Sequence, residues 1–484
     1  MTSSSSPEHP HIPLPLKPIP GTNGFPIFGP IKDRYHYFYI QGRETFFRSR
    51  MAKYNSTVFR TNMPPGPFIS SNSKVIVLLD ALSFPILFDT TKVEKRNVLD
   101  GTYMPSLAFT GGIRTCAFLD PSETEHSVLK RHFLNFLASR HHQFIPLFRT
   151  SISEMFDKLE KELKNNNVAN FNPVSDSASF DFIFRLLSDR SPNKNFISEG
   201  PGLVDRWLTM QLAPLATLGL PKIFSCFEDL IIHTFRLPFA LVKSAYRKLY
   251  ESFYESSGTF LDEAEKQGIN REKACHNLVF LAGFNAYAGM KVLFPILLNW
   301  VGSAGEELHR KLVSEIRAAV KKDEGVTFGA LEKMSLLKSV VYEVLRIDPP
   351  VPYQYARAKQ DIVIENHDSA FKIKKGEMIF GYQPIATKDP KVFENAEEFV
   401  GDRFVGEKGE KLLKYVYWSN GRETEEPTAE NKQCPARDLV VLMSRVVLVE
   451  LFLRYDTFAV EGTRSSLGWS VKTLYIGVLG GGGY

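Results

Sequence analysis

The chain has 484 residues, 43% of them hydrophobic, enough for a large buried core. Its formal charge is +5, with Lys and Arg spread along the chain, which gives no footing for nucleic acid and leaves only a mild preference for acidic ligands. Four widely spaced cysteines (116, 226, 275 and 434) without a C-x-x-C pair argue against a disulfide framework or a zinc site, and Cys116, Cys226 and Cys275 are expected to be buried reduced thiols.

Residues 1–17, rich in Ser, Pro and His, are expected to form a disordered lead. They hold no apolar run of the ~18–20 residues that span a bilayer, and no Arg precedes Arg34 as a transit peptide would favour. Soluble and peripheral membrane states both stay open, as do plastid and cytoplasm. A stiff Pro- and Gly-rich entry over 18–30 leads to two β-prone runs, Thr57–Arg60 and Val75–Leu79, around the turn cluster Met63-Pro-Pro-Gly-Pro67. Helical patterns dominate from Thr124. The spacing predicts amphipathic helices over Ser151–Leu163, Ala245–Lys266, Lys273–Trp300, Gly305–Lys322 and Met334–Arg346, and a long apolar helix over Arg437–Arg454. Short β-prone stretches return at Asp361–Glu365 and Phe371–Ile373, and residues 479–484 read as a flexible tail. The expected fold is mainly α with a small β lobe, a single large domain over 18–478.

Glu343 and Arg346 lie three apart on one helix face, closed by Pro349-Pro350. Asp402-Arg403-Phe404 follows, then Cys434 in Asn431-Lys-Gln-Cys-Pro-Ala-Arg-Asp438, directly before the long apolar helix. A thiolate at a helix N-terminus is stabilised by backbone N–H groups and the helix dipole. This ordered set resembles the cytochrome P-450 superfamily. The resemblance implies the cytochrome P-450 fold, a buried network of Glu343, Arg346 and Arg403, and Cys434 as the axial ligand of haem b (iron protoporphyrin IX). A thiolate ligand pushes electron density onto iron and favours O–O cleavage.

Trp418-Ser-Asn-Gly421 is separated from Cys434 by an inserted stretch, Arg422–Gln433. That insertion, with Asn62-Met-Pro-Pro-Gly-Pro67, Gly101-Thr-Tyr-Met-Pro-Ser106, Thr110-Gly-Gly112, Ser339-Val-Val-Tyr-Glu343 and Gly381-Tyr-Gln-Pro384, is similar to the plant branch that metabolises fatty-acid hydroperoxides. The likeness runs from about Pro18 to Tyr455. It implies His126, Lys130, Arg357 and Lys432 as cofactor-binding residues, the cations suited to haem propionates. It also implies Asn285 as the catalytic amide that orients the hydroperoxide. One departure stands out: the branch has Ala-Gly after its Cys, whereas this chain has Pro435-Ala436. Pro435 removes one N–H donor to the sulfur, and Ala436 adds a methyl group near the porphyrin.

The middle helix, Leu281-Ala-Gly-Phe-Asn-Ala-Tyr-Ala-Gly-Met290, lacks the acid–Thr pair that delivers protons to iron-bound dioxygen in oxygen-activating members of the superfamily. A hydroperoxide already carries oxygen at the peroxide level. The expected substrates are therefore polyunsaturated fatty-acid hydroperoxides, in particular 13-hydroperoxides of linoleic and linolenic acid, turned over without NADPH or a reductase.

Product choice is read from three further candidate catalytic positions. Leu99 stands where allene oxide synthases carry Phe, whose ring stabilises an allylic cation or radical. Ala288 replaces the first Gly of a Gly-Gly pair. Phe380 is typical of allene oxide synthases. Weighing Leu99 and Ala288 above Phe380 gives divinyl ether synthase, with allene oxide synthase next and hydroperoxide lyase third. A rival class is a weakly active, lipid-associated haem protein, and the apolar Leu230–Val242 stretch offers either a membrane contact or lining for a core or channel.

Overall fold

In the computed structural model the described residues are 13–99, 103–190, 194–465 and 468–477. Helices form the bulk, and their boundaries follow the hydrophobic periodicity closely. Ser335–Ile347, Glu306–Lys322 and Arg437–Arg454 match expectation to within a residue or so. Glu306 and Glu307 open one of these and Lys321 and Lys322 close it, each sign favourable to the helix dipole. The Arg437–Arg454 helix is apolar on nearly all sides because it is buried on nearly all sides.

Three expectations shift. The helix expected over Ser151–Leu163 begins earlier, spanning Phe144–Asn166. Ala245–Lys266 is two helices, Lys243–Ser256 and Gly258–Lys266, broken at the fully buried Ser257. The strand Leu16–Lys17 pairs in parallel with Ala370–Phe371, so the first strand falls inside the segment expected to be a disordered lead. Residues 1–12 and the expected tail at 479–484 lie outside the described residues.

The β lobe is a five-stranded sheet in the order Val58–Asn62, Lys74–Leu78, Met378–Tyr382, Tyr353–Ala358, Val93–Glu94. Two three-stranded sheets accompany it. Side chains alternate across a strand. Ile76 and Leu78 therefore enter one apolar cluster with Ile379, while Val75 and Val77 enter another with Met378 and Phe380. Both faces of the sheet are thus buried.

Glu343 is fully buried and receives two guanidinium groups. Arg346 donates to it through Nε and Nη2 at 2.7 and 2.8 Å, and Arg403 through Nε at 3.0 Å. The remaining N–H groups reach main-chain carbonyls: Arg346 those of Thr387 (3.1 Å) and Ala396 (2.7 Å), Arg403 that of Asn395 (3.1 Å). The network ties the Ser335–Ile347 helix to the irregular segment that leads to Cys434. Removing the carboxylate strands two buried cations, a loss of about 3–5 kcal/mol. Glu343→Gln is accordingly expected to lower the denaturant midpoint sharply, and an unchanged midpoint would disprove this account of the network.

Candidate active site

Cys434 sits two residues before the Ala436 cap of the Arg437–Arg454 helix. Its N–H donates to the Ser419 carbonyl at 2.9 Å, and its carbonyl accepts from the Arg437 N–H at 3.1 Å. Burial pushes the thiol pKa up, while the Ala436 N–H and the nearby Lys130 oppose that shift. Pro435 removes one donor, as its sequence implies, but the next N–H still reaches the sulfur.

The insertion 422–433 folds back against the loop. Gln433 Nε2 donates to the Arg422 carbonyl (2.8 Å) and to Ser419 Oγ (3.1 Å). A Cβ at Gly421 would meet the Gln433 side chain at 2.7 Å, so a larger residue there would have to displace Gln433 from its hydrogen bonds. Glu423, buried, accepts from Trp418 Nε1 at 2.8 Å, and Arg437 Nη1 donates to the Glu423 carbonyl at 3.2 Å. Burial lifts the Glu423 pKa to about 7, against the pull of Arg437.

Three amines gather beside this loop. Lys130 Nζ donates to Asn431 Oδ1 at 2.8 Å. Lys432 Nζ reaches the carbonyls of Cys116, Ala117 and Leu119 at 3.2, 3.0 and 2.9 Å. Lys95, which the sequence reading missed, donates to Gln354 Oε1 (3.2 Å) and to Asn420 Oδ1. Burial lowers the pKa of Lys95 and Lys130 to about 7 and that of Lys432 in the same direction. Among the described residues none of the three makes an ion pair. His126 is buried, and its Nδ1 lies 3.2 Å from the Ala429 carbonyl. Burial, with Lys432 and Lys130 nearby, lowers its pKa to about 3, so it is neutral.

The middle helix runs without a break from Arg271 to Ser303, but its centre, Phe280–Tyr287, is a π-helix. Such wide turns mark functional sites, because they reorient side chains within an otherwise regular helix. Asn285 lies in this turn. It is the exposed residue of an apolar stretch, and its amide has no hydrogen-bond partner among the described residues. Asn277 on the same helix accepts from the Cys116 N–H at 2.8 Å, which links the helix to the carbonyls that hold Lys432.

Leu99, Phe284 and Ala288 are partly buried and border the same apolar cluster, and a Cβ at Gly289 would meet open space. Gly101 and Thr102, next to Leu99, lie outside the described residues. Two expected site residues are engaged within the five-stranded sheet. Phe380 is fully buried in the sheet, stacked on Phe47 at 5.3 Å, because alternation along its strand points it into the sheet's own core. Arg357 pairs with Glu94 at 3.2 Å across adjacent strands, so its charge is already engaged. Of the other cysteines, Cys275 is buried as expected, Cys116 is half-buried and Cys226 is exposed.

The family model for cytochrome P450 matches residues 305–422. Over 460 residues the chain is 56% identical to allene oxide synthase 3 of Solanum lycopersicum, covering 95% of this chain and 94% of that protein. It is 53% identical over 461 residues to the chloroplastic allene oxide synthase of Arabidopsis thaliana (95% and 88%). It is 49% identical over 454 residues to the 9-divinyl ether synthase of Capsicum annuum (93% and 94%). The chain belongs to the cytochrome P450 family. Within it, the chain falls in the plant branch that holds allene oxide synthases and divinyl ether synthases.

The site of this cytochrome P450 suits a haem-thiolate. A thiol at a helix start faces a set of buried amines that have only neutral oxygens for partners, which is the donor set a dicarboxylate macrocycle would complete. Cys434 would hold the iron, and Lys95, Lys130 and Lys432 would meet the carboxylates; neutral His126 spends its one ring N–H on the Ala429 carbonyl and packs beside the amines without donating to them. Lys95 carries no motif of its own, and only its burial reveals it.

Glu423 generates a pH prediction. Its folded pKa, near 7, lies above its ordinary value of 4.5, so the folded state holds a proton that the unfolded state releases. The stability this contributes is present below pH 4.5 and is lost as pH rises through 7, on the order of 3 kcal/mol. Glu423→Gln keeps the acceptor for Trp418 and lacks the titration. The stability gap between the two proteins, from urea midpoints, should close or reverse as pH rises over this window; a gap constant with pH would remove Glu423 from the account.

Proposed function

We propose that this protein is an allene oxide synthase: with haem b bound, it converts a polyunsaturated fatty-acid hydroperoxide to an allene oxide with loss of water, needing neither NADPH nor a reductase. The observation that carries the reading is Asn285, an exposed amide without a hydrogen-bond partner among the described residues, in a π-turn on a helix whose Leu281–Met290 stretch has no Asp, Glu, Ser or Thr. A helix that offers an amide but no proton relay is suited to a substrate whose oxygen is already reduced to peroxide.

When bound, the haem iron ligated by Cys434 supplies homolytic cleavage of the peroxide O–O bond and takes up the electron that the carbon-centred radical gives back. The Asn285 side-chain N–H donates to the peroxide oxygens and fixes the orientation of the hydroperoxide. The apolar border of Leu99, Phe284 and Ala288 seats the unsaturated chain and keeps water away from the radical, so that loss of a proton competes well with return of hydroxyl. The allene oxide assignment, placed ahead of the divinyl ether expected from Leu99 and Ala288, draws support from the high identity to several allene oxide synthases and a lower identity to the divinyl ether synthase.

The divinyl ether reading keeps one specific argument: Leu99 and Ala288 are both partly buried against the main apolar core. Leu gives no π contact to an allylic cation, and the Ala288 methyl crowds the chain beside Asn285.

Incubation with 9- and 13-hydroperoxides of linoleic and linolenic acid, without NADPH, is expected to bleach the conjugated-diene absorbance and to yield α-ketol, the hydrolysis product of an allene oxide. A divinyl ether as main product would replace the assignment, short aldehydes would indicate chain scission, and dependence on NADPH would point instead to monooxygenation with dioxygen. Leu99→Phe and Ala288→Gly should each raise the α-ketol share of total product. An unchanged product ratio in both would show that neither residue steers the intermediate.

A further inference from the structure

A file of oxidisable rings leads from the π-turn to the protein surface. Trp207, fully buried, packs against the turn itself: a Cβ at Gly283, two residues before Asn285, would lie 3.0 Å from Trp207 Cζ3. The Trp207 ring centre is 6.2 Å from that of Phe280, edge to face, and Phe280 stacks at 4.6 Å on Phe284, the residue before Asn285. On its other side Trp207 lies 5.6 Å from the buried Tyr246. The Tyr246 hydroxyl donates to His276 Nδ1 at 2.7 Å, the His276 ring lies 4.5 Å from Tyr250, and Tyr250 stacks on Tyr254 at 5.7 Å. Tyr254 is 36% exposed, so the file ends in water.

The order of ring types along the file is chemical as well as steric. Trp and Tyr are the aromatic side chains that give up an electron most readily, and Phe resists oxidation. Trp207 has its indole N–H fixed on the Phe109 carbonyl at 2.9 Å, so it can pass an electron without parting with a proton. A buried phenol differs: it loses an electron only if its proton leaves too, since the phenol cation cannot be solvated there. Burial pushes the Tyr246 pKa up and the His276 pKa down. Neutral His276, its own proton on Nε2, therefore presents Nδ1 as the acceptor for that proton. Tyr287, in the π-turn itself, has Phe180 as its ring neighbour at 6.1 Å and its hydroxyl on Asp205. Among the described residues it leads to no second oxidisable ring.

We propose that Trp207, Tyr246, Tyr250 and Tyr254 carry oxidising equivalents out of the active site when a lipid radical escapes before giving its electron back. The inference rests on the hydroperoxide reading of the site. Homolysis of the O–O bond makes an alkoxyl radical and leaves behind a hydroxyl one electron short of hydroxide. If the radical departs, Trp207 supplies that electron, and the hydroxyl leaves as water with a proton from solvent. Tyr246 then refills Trp207 while its O–H proton moves to His276 Nδ1, which leaves a neutral phenoxyl beside an imidazolium. A one-electron donor in solution, an ene-diol or a phenol, returns an electron through Tyr254 and Tyr250, and the proton goes back from His276 to Tyr246. The donor releases its own proton to solvent, so each escape consumes one electron and one proton from the donor and forms one water.

The test is freeze-quench electron paramagnetic resonance of the full-length haem-loaded protein mixed with peracetic acid, a peroxide that leaves no lipid radical to return the electron. A tyrosyl signal is expected, narrowed when the protein carries ring-deuterated tyrosine. It should be lost in Tyr246→Phe, which keeps the ring and its packing, and in Trp207→Phe, which breaks the file one step earlier. Tyr250→Phe with Tyr254→Phe should keep the signal and lengthen its life in the presence of ascorbate. With linoleic acid hydroperoxide, Tyr246→Phe should start at the parent's rate and inactivate after severalfold fewer turnovers, with oxidised residues around the π-turn found by peptide mass spectrometry. Ascorbate should extend the life of the parent and not of this variant. The proposal is overturned if the signal in Tyr246→Phe and Trp207→Phe equals the parent's, if the radical resides on Tyr287 or Trp418, or if no tyrosyl radical forms. Loss of diene absorbance without NADPH is read separately, so a protein that consumes the lipid but forms no radical on Tyr246 refutes the file alone, and one that leaves the lipid untouched refutes the hydroperoxide reading.

Discussion

The structure depends on a carboxylate that water never reaches. Glu343 neutralises Arg346 and Arg403, and the spare N–H groups of both guanidiniums are consumed by carbonyls on the segment that runs toward the cysteine loop. Buried charge is tolerated only when geometry and hydrogen bonding are nearly complete. That requirement turns a segment with little regular secondary structure into a rigid one. Further along the same stretch of chain, the Ser419 carbonyl takes the Cys434 N–H. The thiol itself is held by main-chain contacts, its N–H on Ser419 and its carbonyl on the Arg437 N–H.

The charge on the other side of the loop is arranged in the opposite sense. Lys95, Lys130 and Lys432 are desolvated and, among the described residues, have only neutral oxygens for hydrogen-bond partners, so burial lowers the pKa of each. Glu343 is a charge already satisfied by the fold, and the lysines are charges left for something else to satisfy. The first arrangement stabilises the protein alone. The second costs stability until an anion is bound, which is how a binding site differs from a structural ion pair.

Much of this was legible before any coordinates. The order Glu343, Arg346, Arg403, Cys434 is a one-dimensional signature, because each residue is recognisable by its neighbours along the chain. The helices followed from periodicity, and the Arg437–Arg454 helix could be read to its ends because apolar residues fill nearly its whole length. The residues that escaped are those whose meaning is three-dimensional. Lys95 looks like any surface lysine in sequence, and the fold buries it beside Asn420, far along the chain. Asn277 reads as an ordinary helix amide and proves to hold the Cys116 N–H. Phe380 fails in the other direction. Its local motif is informative about ancestry, but strand alternation sends the ring into the sheet core against Phe47, in an apolar cluster separate from the one that Leu99 and Ala288 pack against.

The π-turn at Phe280–Tyr287 joins these threads. A regular α-helix across this stretch would give each residue the angular position its spacing dictates. The wider turn shifts that register, and Asn285 emerges with no partner while its neighbours Leu281, Ala282, Gly283 and Tyr287 stay buried. Tyr287 is committed, its hydroxyl donating to Asp205 at 3.2 Å, so it cannot serve as a proton donor on the substrate side. An apolar wall bearing one free amide can orient a substrate and cannot feed it protons. Chemistry that begins from an existing O–O bond needs the first of these and is harmed by the second, because a proton delivered to the departing oxygen would favour heterolysis over a radical. The local helix distortion and the missing acid–Thr pair therefore work toward the same end, one by adding a group and the other by withholding one.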